Sequence, residues 1–525
     1  MTEAIILFLG LLLMTVVLAG LATRIGVPYP IILVLGGILL SVVPGLPKVN
    51  LESDLILILF LPPLVYSSAW QTSWREFRAN LRPILLLSIG LVLATTVLVA
   101  VVAHIVLGLP WALAFVLGAI ISPTDAVASS TIAQRMHLPR RIVTIIEGES
   151  MVNDATGLVV YRFAVAAAVT GSFQLADAGL QFVFVSVGGL LIGLIIAWPI
   201  AWLHRRIDNA LLEISMTLLT PYAAYLLADT LHTSGILATL SAGLYLSRQS
   251  SRFFSSTTRL QANAVWNVLV FLLNGVLFLL IGLQLRGIME TVRDGALVQL
   301  VGEVAVMSLA VICIRILWVF LATYVPRWLL PFLRRYDPYP GWRNVTIVAW
   351  TGLRGGISLA AALALPLTAA SGASFPGRDL LIALTFGIIL VTLVGQGLSL
   401  IPLIQLIHIP SDILIEKERR KARLAASRAA QERLAELSGQ EWVPEDLRIH
   451  LQSHYEEQTQ RLESLLDGSV NNEIINKKQA RHRLHQEVVR AERDVVIGLR
   501  DRGQIDDEVL HDIERELDLE EQQLQ

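Results

Sequence analysis

A helix that crosses a bilayer needs roughly 20 mostly apolar residues. This chain contains thirteen such stretches, at about 4–23, 27–46, 54–70, 83–108, 110–130, 142–169, 178–203, 210–231, 233–247, 264–285, 297–324, 344–366 and 380–408. In lipid every backbone polar group must be satisfied internally, so runs of this length predict an all-α polytopic membrane protein. Of the 525 residues, 54% are hydrophobic and 16% charged, against about 25% charged in a soluble globular chain. The charges divide sharply. Residues 1–410 carry 23 basic and 17 acidic side chains, whereas residues 411–525 carry 18 and 26 in a quarter of the length. Two domains follow: a transmembrane domain over 1–410 and a cytosolic, charged, helical domain over 411–525. This pattern excludes a single soluble enzyme domain, a disulfide-rich secreted scaffold and a basic nucleic-acid binder. Cys313 is the chain's one cysteine and lies in an apolar run, so neither a disulfide nor a cysteine metal site is available.

Orientation follows from the basic residues in the loops. Loops after odd-numbered spans hold 16 of them, from Arg24 through Arg343, and loops after even-numbered spans hold four: Lys48, Arg286, Arg293 and Arg378. The N-terminus is therefore expected outside and the tail in the cytoplasm of a cell (inner) membrane. The first span does not read as a signal peptide, because Met-Thr-Glu-Ala carries no positive side chain ahead of it.

An ionised side chain in the bilayer core costs about 2.5–3.5 kcal/mol on insertion scales, so acids and arginines inside spans point to function. The fifth span reads Gly118-Ala-Ile-Ile-Ser-Pro123-Thr-Asp125. Pro123 should break the helix there, exposing half-helix ends beside Thr124 and Asp125; a simple proline kink with a capping Thr or Asp is the plainer alternative. The sixth span holds Glu147, Glu149, Ser150, Asn153 and Asp154. Helical spacing puts Glu147, Ser150 and Asp154 on one stripe, with Glu149 and Asn153 beside it. A hydroxyl and carboxylates make a hard oxygen cage suited to a small cation such as sodium. Glu147 reads equally well as a solvated charge at the cytoplasmic mouth.

The twelfth span places Arg354 among Gly352, Gly355 and Gly356. Its expected role is to neutralise an inner acid, most simply Glu149. The interrupted spans are thus the fifth and the twelfth, which are equivalent positions if six helices, a linker helix and six more make two inverted repeats. Discontinuous helices at matching places in inverted repeats point to a transporter's midplane site. Arg162 and Arg315, also inside spans, read as structural.

Ser122-Pro-Thr-Asp-Ala-Val-Ala128, Gly148-Glu-Ser-Met-Val-Asn-Asp154 and Gly352-Leu-Arg-Gly-Gly356 resemble the signature segments of monovalent cation:proton antiporters of the NhaP/NHE type. Leu61-Pro-Pro-Leu64 and the tail segment Val509 to Glu521 are similar to bacterial members. The resemblance covers all thirteen spans. It implies crossed discontinuous helices, a scaffold and a mobile core, a homodimer, and elevator-type alternating access. It further implies that Asp154 binds either cation or proton, that Asp125, the Thr124 backbone and Ser150 help coordinate Na+ (or Li+ or K+), and that Glu149 and Arg354 form an internal ion pair. Asn153 stands before the key aspartate, a pattern that in this family goes with electroneutral 1:1 exchange. Some relatives carry a glutamate where this chain has Ser67, which puts an ion-access role for that position in doubt.

The expected partners are a monovalent cation, a proton, the lipid bilayer and a second copy of the chain, with no nucleic acid, no cofactor and no enzymatic activity. Within the tail, Leu, Ile and Val recur at three-to-four spacing between Leu447 and Leu519, which suits packed regulatory or dimer-supporting helices. His450, His454, His482, His485 and His511 are candidate pH sensors or simply solvated side chains. A cation channel is the rival from another class, but no T-V-G-Y-G filter is present. An intramembrane hydrolase is disfavoured because Gly148-Glu-Ser150-Met-Val152 lacks the second glycine of a nucleophile elbow.

Overall fold

The computed structural model describes residues 2–44, 53–170, 175–291, 297–330, 337, 339–368, 375–408, 413–437, 440 and 443–466, with scattered positions beyond. All regular structure among these residues is helical. The membrane unit contains α1 (Thr2–Ile25), α2 (Tyr29–Ser41), α3 (Ser53–Gln71), α4 (Leu81–Leu107), α5 (Trp111–Ile121), α6 (Ala126–Arg135), α7 (Arg140–Thr170), α8 (Leu175–His204) and α9 (Ala210–Thr230). It continues with α10 (Gly235–Phe253), α11 (Ser256–Leu283), α12 (Leu297–Leu329), α13 (Trp342–Trp350), α14 (Gly356–Leu363) and α15 (Arg378–Ile407).

Each of the thirteen expected spans coincides with one of these helices or with a broken pair. The fifth span is α5 plus α6, and the twelfth is α13 plus α14. Nine stretches among the described residues are long and apolar enough to cross a bilayer, and α2 and the apolar part of α3 (Leu57–Gln71) are shorter. The segment read as the short span 233–247 is polar by comparison, with Thr239, Ser241 and Ser247 inside it and Arg248 directly after it. Its first half is buried on all sides, so protein rather than lipid surrounds it, and a lipid-like composition is not required of it.

The packing resolves two groups of helices. In one, α2 lies along α11, and α10 lies against α3, α8 and α9. In the other, α4 and α7 flank α5, while α12 runs beside α4, α13 and α15. Without water to drive association, small residues let backbones meet in such bundles. At the α2–α11 crossing, a Cβ on Gly37 would strike the Leu279 carbonyl and one on Gly282 the Val34 carbonyl. Two helices also contain a π-turn, at Leu86–Leu91 in α4 and Val391–Gln396 in α15. A π-turn shifts the backbone hydrogen-bond register, and at the first of these the Leu86 carbonyl accepts the Trp318 indole N–H (3.1 Å).

The chain divides into two compact units, 1–411 and 412–525. Within the second, α16 (Ile413–Leu437) and α17 (Glu445–Leu466) form a helical hairpin. Ser427 shares a hydrogen bond with Thr459 at 2.9 Å, and Arg428 pairs with Glu463 at 2.6 Å. His450 and His454 are exposed on α17; His482, His485, His511 and, apart from Ile513, the segment Val509 to Glu521 lie outside the described residues.

Candidate functional site

The breaks in the two discontinuous spans meet. The Asp125 amide donates to the Leu353 carbonyl at 2.8 Å, which joins the extended peptide after α5 to the one after α13. Pro123 and the three glycines around Arg354 leave backbone groups that no helix satisfies, and side chains take up several of them. Asp125 caps α6 by accepting the Val127 amide (2.8 Å). Its other carboxylate oxygen lies against Gly355, where any Cβ would collide with it. Asp125 therefore stands at the N-terminal ends of both α6 and α14, where helix dipoles favour negative charge.

Arg354 occupies the complementary position. It is buried, and its guanidinium donates to the Ile121 carbonyl at the end of α5 (3.0 Å) and to the Gly352 carbonyl just past the end of α13. A cation there offsets the negative ends of the two half-helices. Its own amide donates to Thr392 Oγ1 (3.3 Å), and Gln396 Nε2 reaches the Trp350 carbonyl (3.4 Å). Both acceptor and donor come from the π-turn of α15, which thus serves the broken backbone across from it.

The sequence pairs Arg354 with Glu149, and here the structure corrects it. The partner of Glu149 is Arg315 of α12, with Nη1 to Oε1 at 2.5 Å and Nη2 to Oε2 at 2.9 Å, both side chains 1% exposed. Arg315 also donates to the Val348 carbonyl at 3.0 Å. A planar fork reaching down from α12 can grip a carboxylate with both nitrogens, whereas the Arg354 guanidinium donates to two carbonyl groups and its buried Nη2 meets no acceptor among the described residues. Arg162, by contrast, pairs with Asp229 at 3.3 Å where both are well exposed.

Thr124 links the break to α7. Its hydroxyl donates to Glu149 Oε1 (3.0 Å) and accepts from Asn153 Nδ2 (2.7 Å). Its carbonyl accepts from Ser150 Oγ (2.9 Å), and that oxygen in turn accepts the Ala126 amide (3.2 Å). Asn153 is therefore bound to the Thr124 side chain, not presented to an open space, although its own Oδ1 is buried with no partner among the described residues. Asp154 differs from all of these. It is 6% exposed, no hydrogen bond or ion pair holds it among the described residues, and it lines a cavity of about 220 Å³.

That cavity also takes in Thr124, Asp125, Ser150, Ser67 and Glu147. Gln71 Nε2 donates to Ser67 Oγ (3.3 Å) at its wall. Tyr29 of α2 and Asn274 of α11 face it from the other helix group; both were missed in the sequence, although the single amide in the apolar stretch 268–283 is a readable signal. Thr392 and Gln396 were missed as well, the glutamine being polar in an apolar run. Gln71, Gln134 and Glu147 line a second, outer cavity with Glu76, His137 and Arg140, so the inner space continues toward the end of the bundle that carries these charges. No cluster of three or more metal-ligating side chains of the His, Cys, Asp and Glu type occurs among the described residues; a cation here would use one or two carboxylates with neutral oxygens.

Comparison with known proteins agrees with this architecture. Residues 11–406 match the family of sodium/hydrogen exchanger transmembrane domains. The chain is 37% identical over 526 residues to a Na+/H+ exchanger of Mycobacterium tuberculosis, covering 99% of this chain and 96% of that one. It is 33% identical over 544 residues to the exchanger YjcE of Escherichia coli, covering 98% of each. Among solved structures, the sodium proton antiporter MjNhaP1 from Methanocaldococcus jannaschii at pH 8 superposes with a TM-score of 0.58 at 20% identity, covering 76% of this chain and 95% of that one. This chain is a multi-pass membrane protein belonging to the sodium/hydrogen exchanger family.

Proposed function

We propose that the chain exchanges a monovalent cation for a proton at Asp154, one for one. The observation that carries this reading is the contrast between Asp154 and its neighbours. Glu149 is neutralised by Arg315 and Asp125 caps α6 beside the start of α14, whereas Asp154 faces the cavity with no partner among the described residues. A carboxylate in that position holds a proton or a partly dehydrated cation but not both, so each empties the site of the other. Asp125, Ser150 and the Thr124 carbonyl, which keeps a second lone pair while accepting from Ser150, supply the remaining oxygens for Na+. Asn153 positions Thr124 and adds no second titratable group, which supports electroneutral exchange.

Coupling requires that the site face one side at a time. The continuity of the cavity with Gln134, Glu147 and Glu76, together with the basic residues at that end, supports a cytoplasm-facing state with the N-terminus outside. The two helix groups serve as scaffold and core, the core carrying the crossed helices past the scaffold in an elevator-type movement. The chain works as a homodimer in the cell membrane. Potassium is the second candidate substrate: a relative from Bacillus subtilis, 36% identical over 380 residues, is a sodium, potassium, lithium and rubidium/H+ antiporter.

The test is proton efflux from proteoliposomes with Na+, Li+ or K+ added in turn, with and without a clamped membrane potential. Exchange that needs the cation gradient and ignores the clamp supports electroneutral antiport. Collapse of the potential by the cation alone would convert the reading to a channel.

A further inference from the structure

Three arginines from three helices converge on one carboxylate at the basic end of the bundle. Asp337 receives Arg82 of α4 (3.2 Å), Arg141 of α7 (3.0 Å) and Arg327 of α12 (2.5 Å). The Arg327 side chain also donates to the Asp337 carbonyl at 3.2 Å and is 5% exposed, and Arg141 Nε donates to Asn80 Oδ1 at 3.1 Å. One carboxylate cannot neutralise three guanidinium groups, and among the described residues these pairs set three positive charges against one negative. The Nη2 of Arg82 is buried and meets no acceptor among the described residues. Beside the cluster is a cavity of about 110 Å³ whose wall holds Arg82, Arg141, Arg327 and Asp337 together with apolar residues such as Leu87 and Val319.

A cationic pocket that also has apolar wall residues matches a phospholipid, in which a phosphate diester is joined to acyl chains. Arginine is suited to phosphate because its planar fork donates two parallel hydrogen bonds, and basic pockets between helices on the cytoplasmic side take up anionic headgroups. The depth also fits. Trp328 and Trp342 are 70% and 60% exposed at the ends of the helices that flank Asp337, and such aromatic side chains settle at the headgroup level. We propose that the Arg82–Arg141–Arg327 cluster binds the phosphate of an anionic phospholipid, with Asp337 holding the three arginines in place and limiting their affinity.

The full chain in detergent is tested by native mass spectrometry and thermal unfolding with added phosphatidylglycerol, phosphatidylcholine or inorganic phosphate. Phosphatidylglycerol is expected to remain bound and to raise the melting temperature, phosphatidylcholine to do neither, and inorganic phosphate to act weakly. Arg82→Gln, which leaves Arg141 and Arg327 on Asp337, should lower phosphatidylglycerol occupancy at least several-fold. Asp337→Asn should raise it, because the surplus charge grows. A cluster that merely ties helices together would lose stability in Asp337→Asn with no gain in lipid, and that result overturns the proposal. If Asp337→Asn does not fold, Arg82→Gln decides alone: unchanged phosphatidylglycerol occupancy overturns it. Stabilisation by inorganic phosphate equal to that by phosphatidylglycerol overturns the lipid assignment in favour of a soluble anion.

Discussion

Arg315 grips Glu149 through both terminal nitrogens, at 2.5 and 2.9 Å, although 166 positions separate them along the chain. The pair lies directly behind the proposed cation site, because the same carboxylate accepts the Thr124 hydroxyl and Thr124 is held in turn by Asn153 and Ser150. A buried charge left without its partner is costly, about 3–5 kcal/mol when one member of such a pair is removed. Arg315→Ala and Glu149→Ala should therefore each destabilise the folded protein by about that much, read as a large fall in melting temperature in detergent. A double-mutant cycle should show coupling between 149 and 315 larger than that between 149 and 354. Equal couplings would mean that Arg354 shares the neutralisation of Glu149.

The error in pairing Glu149 with Arg354 shows where sequence reading reaches its limit. Pro123 and the glycines at 352, 355 and 356 act on their own backbone, so both breaks were legible locally. Helical periodicity likewise placed Ser150 and Asp154 on one stripe. Which of two mid-span arginines reaches Glu149, however, depends on how α12 and α13 cross α7, and nothing in either local pattern encodes that. The same holds for Thr392: a threonine in an apolar helix is unremarkable until the π-turn aims it at the Arg354 amide.

Asp154→Asn keeps the shape of the side chain and removes its charge and its titration. Because no ion pair or hydrogen bond holds Asp154 among the described residues, the substitution strands no partner, and the protein should fold with an unchanged or slightly higher melting temperature. Cation-dependent dequenching of a pH dye in proteoliposomes should fall to the level of empty vesicles. Exchange at the wild-type rate would remove Asp154 from the mechanism.

Gly355 is the point at which the two broken spans have no room to spare. A methyl group there would fall on the Asp125 carboxylate, so Gly355→Ala must push Asp125 away from the α14 N-terminus or part the crossing. Overpacking of this kind costs about 1–3 kcal/mol, and the proposed ion site lies within the displaced segment. The expected outcome is a protein that is purified in reduced amount and whose apparent Na+ affinity in the dye assay is about tenfold or more weaker, since each 1.4 kcal/mol is tenfold. Gly341→Ala, where open space surrounds the added carbon, is the control and should behave as wild type.

Competition at one carboxylate also fixes the sign of the pH dependence. On the proposed mechanism a proton bound at Asp154 excludes the cation, so lowering the pH on the cavity side should raise the KM for Na+ by up to about tenfold per pH unit while protons dominate the site. The maximal rate at saturating Na+ stays level, because enough cation displaces the proton. On the alkaline side the KM should flatten as the site empties of protons, and turnover should then fall for want of the returning proton. Plots of initial rate against Na+ at several pH values should therefore meet at a common maximum through the acidic range. A maximum that falls with acidity at constant KM would place the controlling proton on another group, and Glu147, at the junction of the inner and outer cavities, would be the first to substitute by glutamine.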